Sequence, residues 1–118
     1  MIVDDETDLR DMLNLLLVKE GFETTTAEDG QDFLNKIDDF QPDLVTLDVM
    51  MPGLTTKEIL EKIQTKETKP KIILLTVVRF SDEEKTSIFK KGNIVDYINK
   101  PFEIDDFTGS VRKHLSPC

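Results

Sequence analysis

Five residues of this chain pair a reactive side chain with a telling position: Asp4 and Asp5 follow Met1-Ile2-Val3, Asp48 follows Leu44-Val45-Thr46-Leu47, Thr76 follows Ile72-Ile73-Leu74-Leu75, and Lys100 follows Val95 to Asn99. Each apolar run reads as a buried strand, so each polar residue falls at a strand's carboxyl end. In a parallel sheet with right-handed crossovers those ends share one edge, and ligands bind there. Three carboxylates gathered within a few ångströms repel one another, and a hard divalent cation with oxygen ligands relieves the repulsion. Mg²⁺ fits better than Zn²⁺ or copper, because no thiolate and no histidine lies near these strand ends and His114 is far along the last helix. With about −3 from the carboxylates, +2 from the metal and +1 from Lys100, such a site is near neutral. An aspartate nucleophile, a bridging cation, an ammonium and a hydroxyl from Thr76 are the parts that in-line phosphoryl transfer requires.

Taken singly, each residue also has a plain structural role. Asp4 and Asp5 suit the cap of a first helix, Asp48 a turn before Pro52-Gly53, Thr76 an ordinary strand position, and Lys100 a solvated strand end. Their joint placement is what points to chemistry.

The elements that must position them are legible as alternating strands and helices, the pattern of βαβ units. Strands are expected at Met1 to Val3, Glu23 to Ala27, Leu44 to Leu47, Lys71 to Leu75 and Val95 to Asn99. Leu9, Met12, Leu13, Leu16 and Leu17 recur as one helix face, closed by Gly21. Phe33, Leu34 and Ile37 mark a second helix after Asp29-Gly30, and Ile59, Leu60 and Ile63 a third, with Thr55 and Glu58 as its capping box. Ser81 and Glu84 repeat that signature before a fourth helix that Gly92 ends. A fifth follows Pro101, with Ile104, Phe107, Val111 and Leu115 inward, and Gly109-Ser110 lowers the propensity at its middle.

At 118 residues the chain is long enough for one good core and too short for two ordinary domains, so residues 1–118 are read as one domain. A formal net charge of −9 works against nucleic-acid binding, which draws its affinity from basic surface. No apolar run approaches the length of a membrane helix, and the start lacks a secretory pattern, so a cytoplasmic protein without membrane contact is expected. Cys118 is the only cysteine, which leaves no internal disulfide and no thiolate metal cluster. The loop Gln64 to Lys71, despite its lysines, reads as solvated surface.

Val3-Asp4-Asp5-Glu6, the run Pro42 to Gly53 around Asp48, Thr76, and Asp96-Tyr97-Ile98-Asn99-Lys100-Pro101-Phe102 together resemble response-regulator receiver domains across essentially the whole chain. The resemblance implies a flavodoxin-like (βα)5 three-layer sandwich with a five-stranded parallel sheet in the order 2-1-3-4-5. It implies Asp48 as phosphoacceptor, with Mg²⁺ held by Asp5, Asp48 and the backbone carbonyl of Met50, and by Asp4 through water. Lys100 would hold the phosphoryl group and pair with Asp48. Thr76 would swing towards a phosphoryl oxygen, and Tyr97 would move inward with it as the switch aromatic. Lys100-Pro101 is expected to be a cis peptide aiming the ammonium into the site. Signalling would be a population shift of the surface around the fourth helix, fifth strand and fifth helix. The implied partners are a sensor histidine kinase or histidine phosphotransfer protein upstream and an effector protein or domain downstream. The protein would catalyse only its own phosphorylation and dephosphorylation.

The sequence departs from the family pattern in places. Val77 and Val78 follow Thr76 where a small residue is usual, which narrows donor access. Apolar Met50 and Val78 offer no group to orient an attacking water, so slow self-dephosphorylation is expected. Gly92 to Tyr97 is one residue longer than usual, Thr56 replaces a common glycine, and the first strand is a few residues short, which suggests a trimmed beginning. Two other functions compete. A Mg²⁺-dependent phosphatase of the haloacid dehalogenase type lacks its acid here, since Met50 stands where a second aspartate belongs. A receiver-like interaction module that is never phosphorylated would keep the pocket without using it.

Overall fold

Alternate residues of a strand point to opposite faces, and in β3 (Leu44–Asp48) every residue is buried, as is every residue of β4 (Lys71–Thr76) except Lys71. A strand buried on both faces needs helices on both sides of its sheet. The computed structural model describes residues 1–49, 53, 56–66, 70–76, 83, 94–100 and 102–115. With β1 (Ile2–Val3), β2 (Thr26–Ala27) and β5 (Ile94–Asn99), these strands form an all-parallel sheet of five in the order β2-β1-β3-β4-β5. This is the flavodoxin-like order expected above.

Strand parity divides the apolar residues into two cores. Val3, Val45, Leu47, Ile72 and Leu74 face α2 (Gly30–Phe40) and α3 (Thr56–Ile63), which contribute Phe33, Leu34, Ile37, Ile59, Leu60 and Ile63. Ile2, Leu44, Ile73 and Leu75 face α1 (Thr7–Lys19) and the last helix (Ile104–His114), which contribute Leu13, Leu17, Phe107 and Val111. Three layers result, and the carboxyl ends of the strands lie along one edge.

Local chemistry explains two of the helix ends. Asp29 caps α2, its Oδ1 accepting the Asp32 N–H at 2.8 Å, so Gly30 opens the helix rather than lying in a turn before it. Gly21, at φ 92°, follows α1 in the left-handed region that glycine favours, and the Phe22 N–H returns to the Leu17 carbonyl at 3.1 Å. The short β1 continues its pairing through the Met1 amino group, which donates to the Leu44 carbonyl at 2.8 Å; burial there lowers that ammonium to about 5, with Asp43 opposing the shift.

Several expectations change in detail. The second strand shrinks from Glu23–Ala27 to Thr26–Ala27. Met12 is 39% exposed, since it lies about 100° round the helix from the buried Leu13. Ile104 is 48% exposed rather than inward: it opens the helix, and since each Cβ tilts toward the helix N-terminus its side chain projects past the end of the helix. Thr108 is buried on that helix instead, its hydroxyl donating to the Ile104 carbonyl at 3.1 Å. The extra residue between Gly92 and Tyr97 has a visible consequence. Ile72 pairs with Ile94 but Ile73 pairs with Asp96, so Val95 is bulged out of register in β5. The expected fourth helix, apart from Glu83, and Thr55, Met50, Val77, Val78, Pro101 and Cys118 lie outside the described residues.

Leu13 is fully buried and Leu15, two positions on, is 60% exposed. Leu13→Ala is therefore expected to lower stability by about 2–5 kcal/mol and Leu15→Ala by less than about 0.5 kcal/mol. Urea midpoints with unchanged slopes check this orientation of α1.

Candidate functional site

Each site residue is held by the element it ends. The Asp4 N–H extends the sheet ladder to the Ala27 carbonyl at 3.1 Å, which fixes Asp4 at the tip of β1. Its carboxylate is fully buried: Oδ1 accepts the Glu6 N–H at 2.9 Å and Oδ2 accepts the Lys100 ammonium at 3.2 Å. Asp48, buried at the end of β3, lies 3.4 Å from the same ammonium. Lys100 is anchored in turn by its own N–H, which donates to the Thr76 carbonyl at 2.7 Å. Thr76 is fully buried at the end of β4, one residue beyond the Leu75 that pairs with Asp48.

Asp4, Asp5 and Asp48 each offer a carboxylate oxygen, and those oxygens lie within 4.8 Å of one another. Asp5 is exposed and the other two are buried, so the cluster opens to solvent on the Asp5 side. Three hard oxygen donors at that spacing fit Mg²⁺. Among the described residues one ammonium, that of Lys100, pairs with Asp4 and Asp48, against three carboxylates, and the surplus of negative charge favours a cation.

The structure thus brings Asp4, Asp5, Asp48 and Lys100 together and sets Thr76 on the adjoining strand. Tyr97 is half-buried on β5 and packs against the α2–α3 core. Met50 lies outside the described residues. Arg10 was not anticipated: its Nη1 donates to the Asp4 carbonyl at 2.7 Å, pinning the turn that carries both N-terminal aspartates. Its position was a usable signal, since a cation near a helix N-terminus opposes the helix dipole and asks for a local reason. A cavity of about 850 Å³ opens at the opposite, amino-terminal edge, lined by Met1, Phe22, Asp43, Lys71 and His114 among others. The carboxylates of Asp4, Asp5 and Asp48 do not line it.

A family model, the response regulator receiver domain, matches residues 1–112. The chain belongs to the response regulator receiver domains. This receiver is 36% identical to TrrA of Thermotoga maritima, whose crystal structure in complex with Mg(2+)-BeF aligns with a TM-score of 0.79 over 97% of this chain and 96% of that one. It is 33% identical over 115 residues to sporulation initiation phosphotransferase F of Bacillus subtilis, covering 98% of this chain and 91% of the relative. It is 32% identical over 115 residues to the regulatory protein AtoC of Escherichia coli, covering 98% of this chain but only 24% of AtoC. The receiver thus spans about a quarter of that relative. Receivers signal by phosphorylation, and their chemistry is confined to their own phosphorylation state, so the phosphatase alternative falls away. No helix among the described residues is long and apolar enough to cross a membrane.

Proposed function

We propose that residues 1–118 act as one phospho-accepting unit in which Asp48 takes a phosphoryl group from a phosphohistidine. The observation that carries this reading is the gathering of three carboxylates within 4.8 Å of one another, two of which, Asp4 and Asp48, share the Lys100 ammonium. In the step, an Asp48 carboxylate oxygen forms a bond to phosphorus while the phosphorus–nitrogen bond of the donor breaks, and the departing imidazole keeps the electron pair and takes up a proton. Lys100 stands where it can offset charge on the phosphoryl oxygens, and Thr76 supplies a hydroxyl donor from the neighbouring strand. Asp4 holds Lys100 in place, and Arg10 holds the Asp4 turn.

Mg²⁺ would be held by Asp5 and Asp48 directly, by the Met50 carbonyl, and by Asp4 through water; when bound it supplies positive charge for the transferring oxygens. The donor is a sensor histidine kinase or a histidine phosphotransfer protein, and the receiver's phosphorylation state is read by a downstream effector through the surface around the expected fourth helix, β5 and the last helix. TrrA was crystallised with Mg²⁺ and a beryllium fluoride, and a likeness of 36% identity supports the same use of the cluster here.

Incubation with acetyl phosphate and Mg²⁺ is expected to add one phosphoryl group by intact mass, with none added when the metal is chelated. The absence of any mass gain with metal present would favour the unphosphorylated interaction module. Mg²⁺ alone, at about 100 times its Kd, is expected to stabilise the fold by about 2.7 kcal/mol. Asp5→Asn should remove most of that gain, read as a shift in Tm on adding the metal.

A further inference from the structure

The β5 bulge has a partner on the last helix. Because Val95 is the extra residue, both Val95 and Asp96 turn towards that helix: Val95 packs into its core, and the Asp96 carboxylate reaches two of its side chains. Asp96 Oδ2 accepts the Ser110 hydroxyl at 2.8 Å and lies 3.4 Å from His114 Nε2, while Oδ1 accepts the Tyr97 N–H at 2.8 Å. One carboxylate therefore ties the backbone of the proposed switch aromatic to residues one turn apart on the last helix.

We propose that Asp96 is a positioning residue that clasps the last helix to the strand carrying Tyr97, and that protonation of His114 grades the strength of the clasp. The Ser110 bond persists at any pH at which the carboxylate is ionised. The His114 contact becomes an ion pair only when the imidazole carries a proton. The charged groups around His114 limit the alternatives. Asp96 faces it from β5, and Lys71 of β4 donates to its backbone carbonyl at 3.2 Å. Asp43, Glu23 and the Met1 amino group share the wall of the same cavity. On its own helix, Arg112 is engaged by Glu20 at 2.9 Å. Asp96 is the carboxylate within ion-pair distance of the ring among the described residues. The clasp rests on the receiver reading only for the role of Tyr97, and its test needs no phosphorylation, so the two can fail separately.

The test is a double-mutant cycle of wild type, Asp96→Asn, His114→Gln and the double variant, followed by urea unfolding at about pH 5.5 and about pH 8.5. The cycle cancels contributions from the Met1 amino group, which all four proteins share. The coupling is expected to change the unfolding equilibrium about three- to five-fold at the lower pH and to be close to absent at the higher, the range for a partly exposed pair. In parallel, the Tyr97 amide resonance should shift across this interval in wild type and stay still in His114→Gln. Equal coupling at both pH values, or a Tyr97 shift that survives His114→Gln, overturns the graded clasp. If Asp96→Asn does not fold, the resonance comparison decides alone, since it requires only the His114 variant.

Discussion

Asp48→Asn is expected to abolish phosphoryl uptake while making the metal-free receiver more stable. The amide cannot form an acyl phosphate, so the mass gain from acetyl phosphate falls to nothing rather than to a fraction. Stability moves the other way because Asp48 is buried beside the fully buried Asp4, with Asp5 adding a third carboxylate within 4.8 Å. Removing one of three like charges relieves repulsion, and Lys100 keeps its 3.2 Å contact with Asp4. A gain of about 1–2 kcal/mol without metal is expected, with a smaller stabilisation by Mg²⁺. Paired urea titrations with and without the metal check both signs. A loss of stability without metal would mean that the Lys100–Asp48 contact outweighs the carboxylate repulsion.

Lys100→Met reverses the balance. Its ammonium serves both Asp4 and Asp48, at 3.2 Å and 3.4 Å, so the variant takes from two buried carboxylates the cation they share. Breaking a buried pair from one side costs about 3–5 kcal/mol, and the lower end applies here because Glu6 still donates to Asp4 and the Asp5 side is open to water. Mg²⁺ should restore much of that loss, since it supplies the missing positive charge. It should not restore phosphorylation, which is expected to fall about a hundredfold in rate for want of a donor aimed at the phosphoryl oxygens. Unfolding with and without Mg²⁺, set beside the rate of mass gain from acetyl phosphate, separates the two roles.

The fold and the carboxylate cluster were readable because two simple rules coincide in this sequence. Apolar runs such as Leu44 to Leu47 and Ile72 to Leu75 are buried on both faces, which demands a parallel sheet, and parallel strands deliver their carboxyl-end residues to one edge. Position alone therefore placed Asp4, Asp48, Thr76 and Lys100 along one edge of the sheet, where the structure has them. What escaped follows a different logic. Arg10 acts from a helix and through the Asp4 carbonyl, so neither strand-end position nor side-chain pairing marks it. Lys100 was matched with Asp48, yet its shorter contact is with Asp4, a choice set by side-chain reach that spacing does not encode. The long Gly92–Tyr97 interval was visible as a departure, but only pairing with β4 shows that β5 absorbs it as a bulge at Val95. Ile104 fits the helical period and is still exposed, since periodicity does not say where a helix begins relative to the layer beneath it.

Reductive trapping tests the central claim most directly. The receiver is phosphorylated with acetyl phosphate and Mg²⁺, treated with borohydride, which reduces an acyl phosphate to an alcohol, and mapped by peptide mass. The account predicts homoserine at position 48 and unmodified aspartate at positions 4 and 5. A reduced residue anywhere else, with Asp48 intact in protein that has gained the phosphoryl mass, would contradict it.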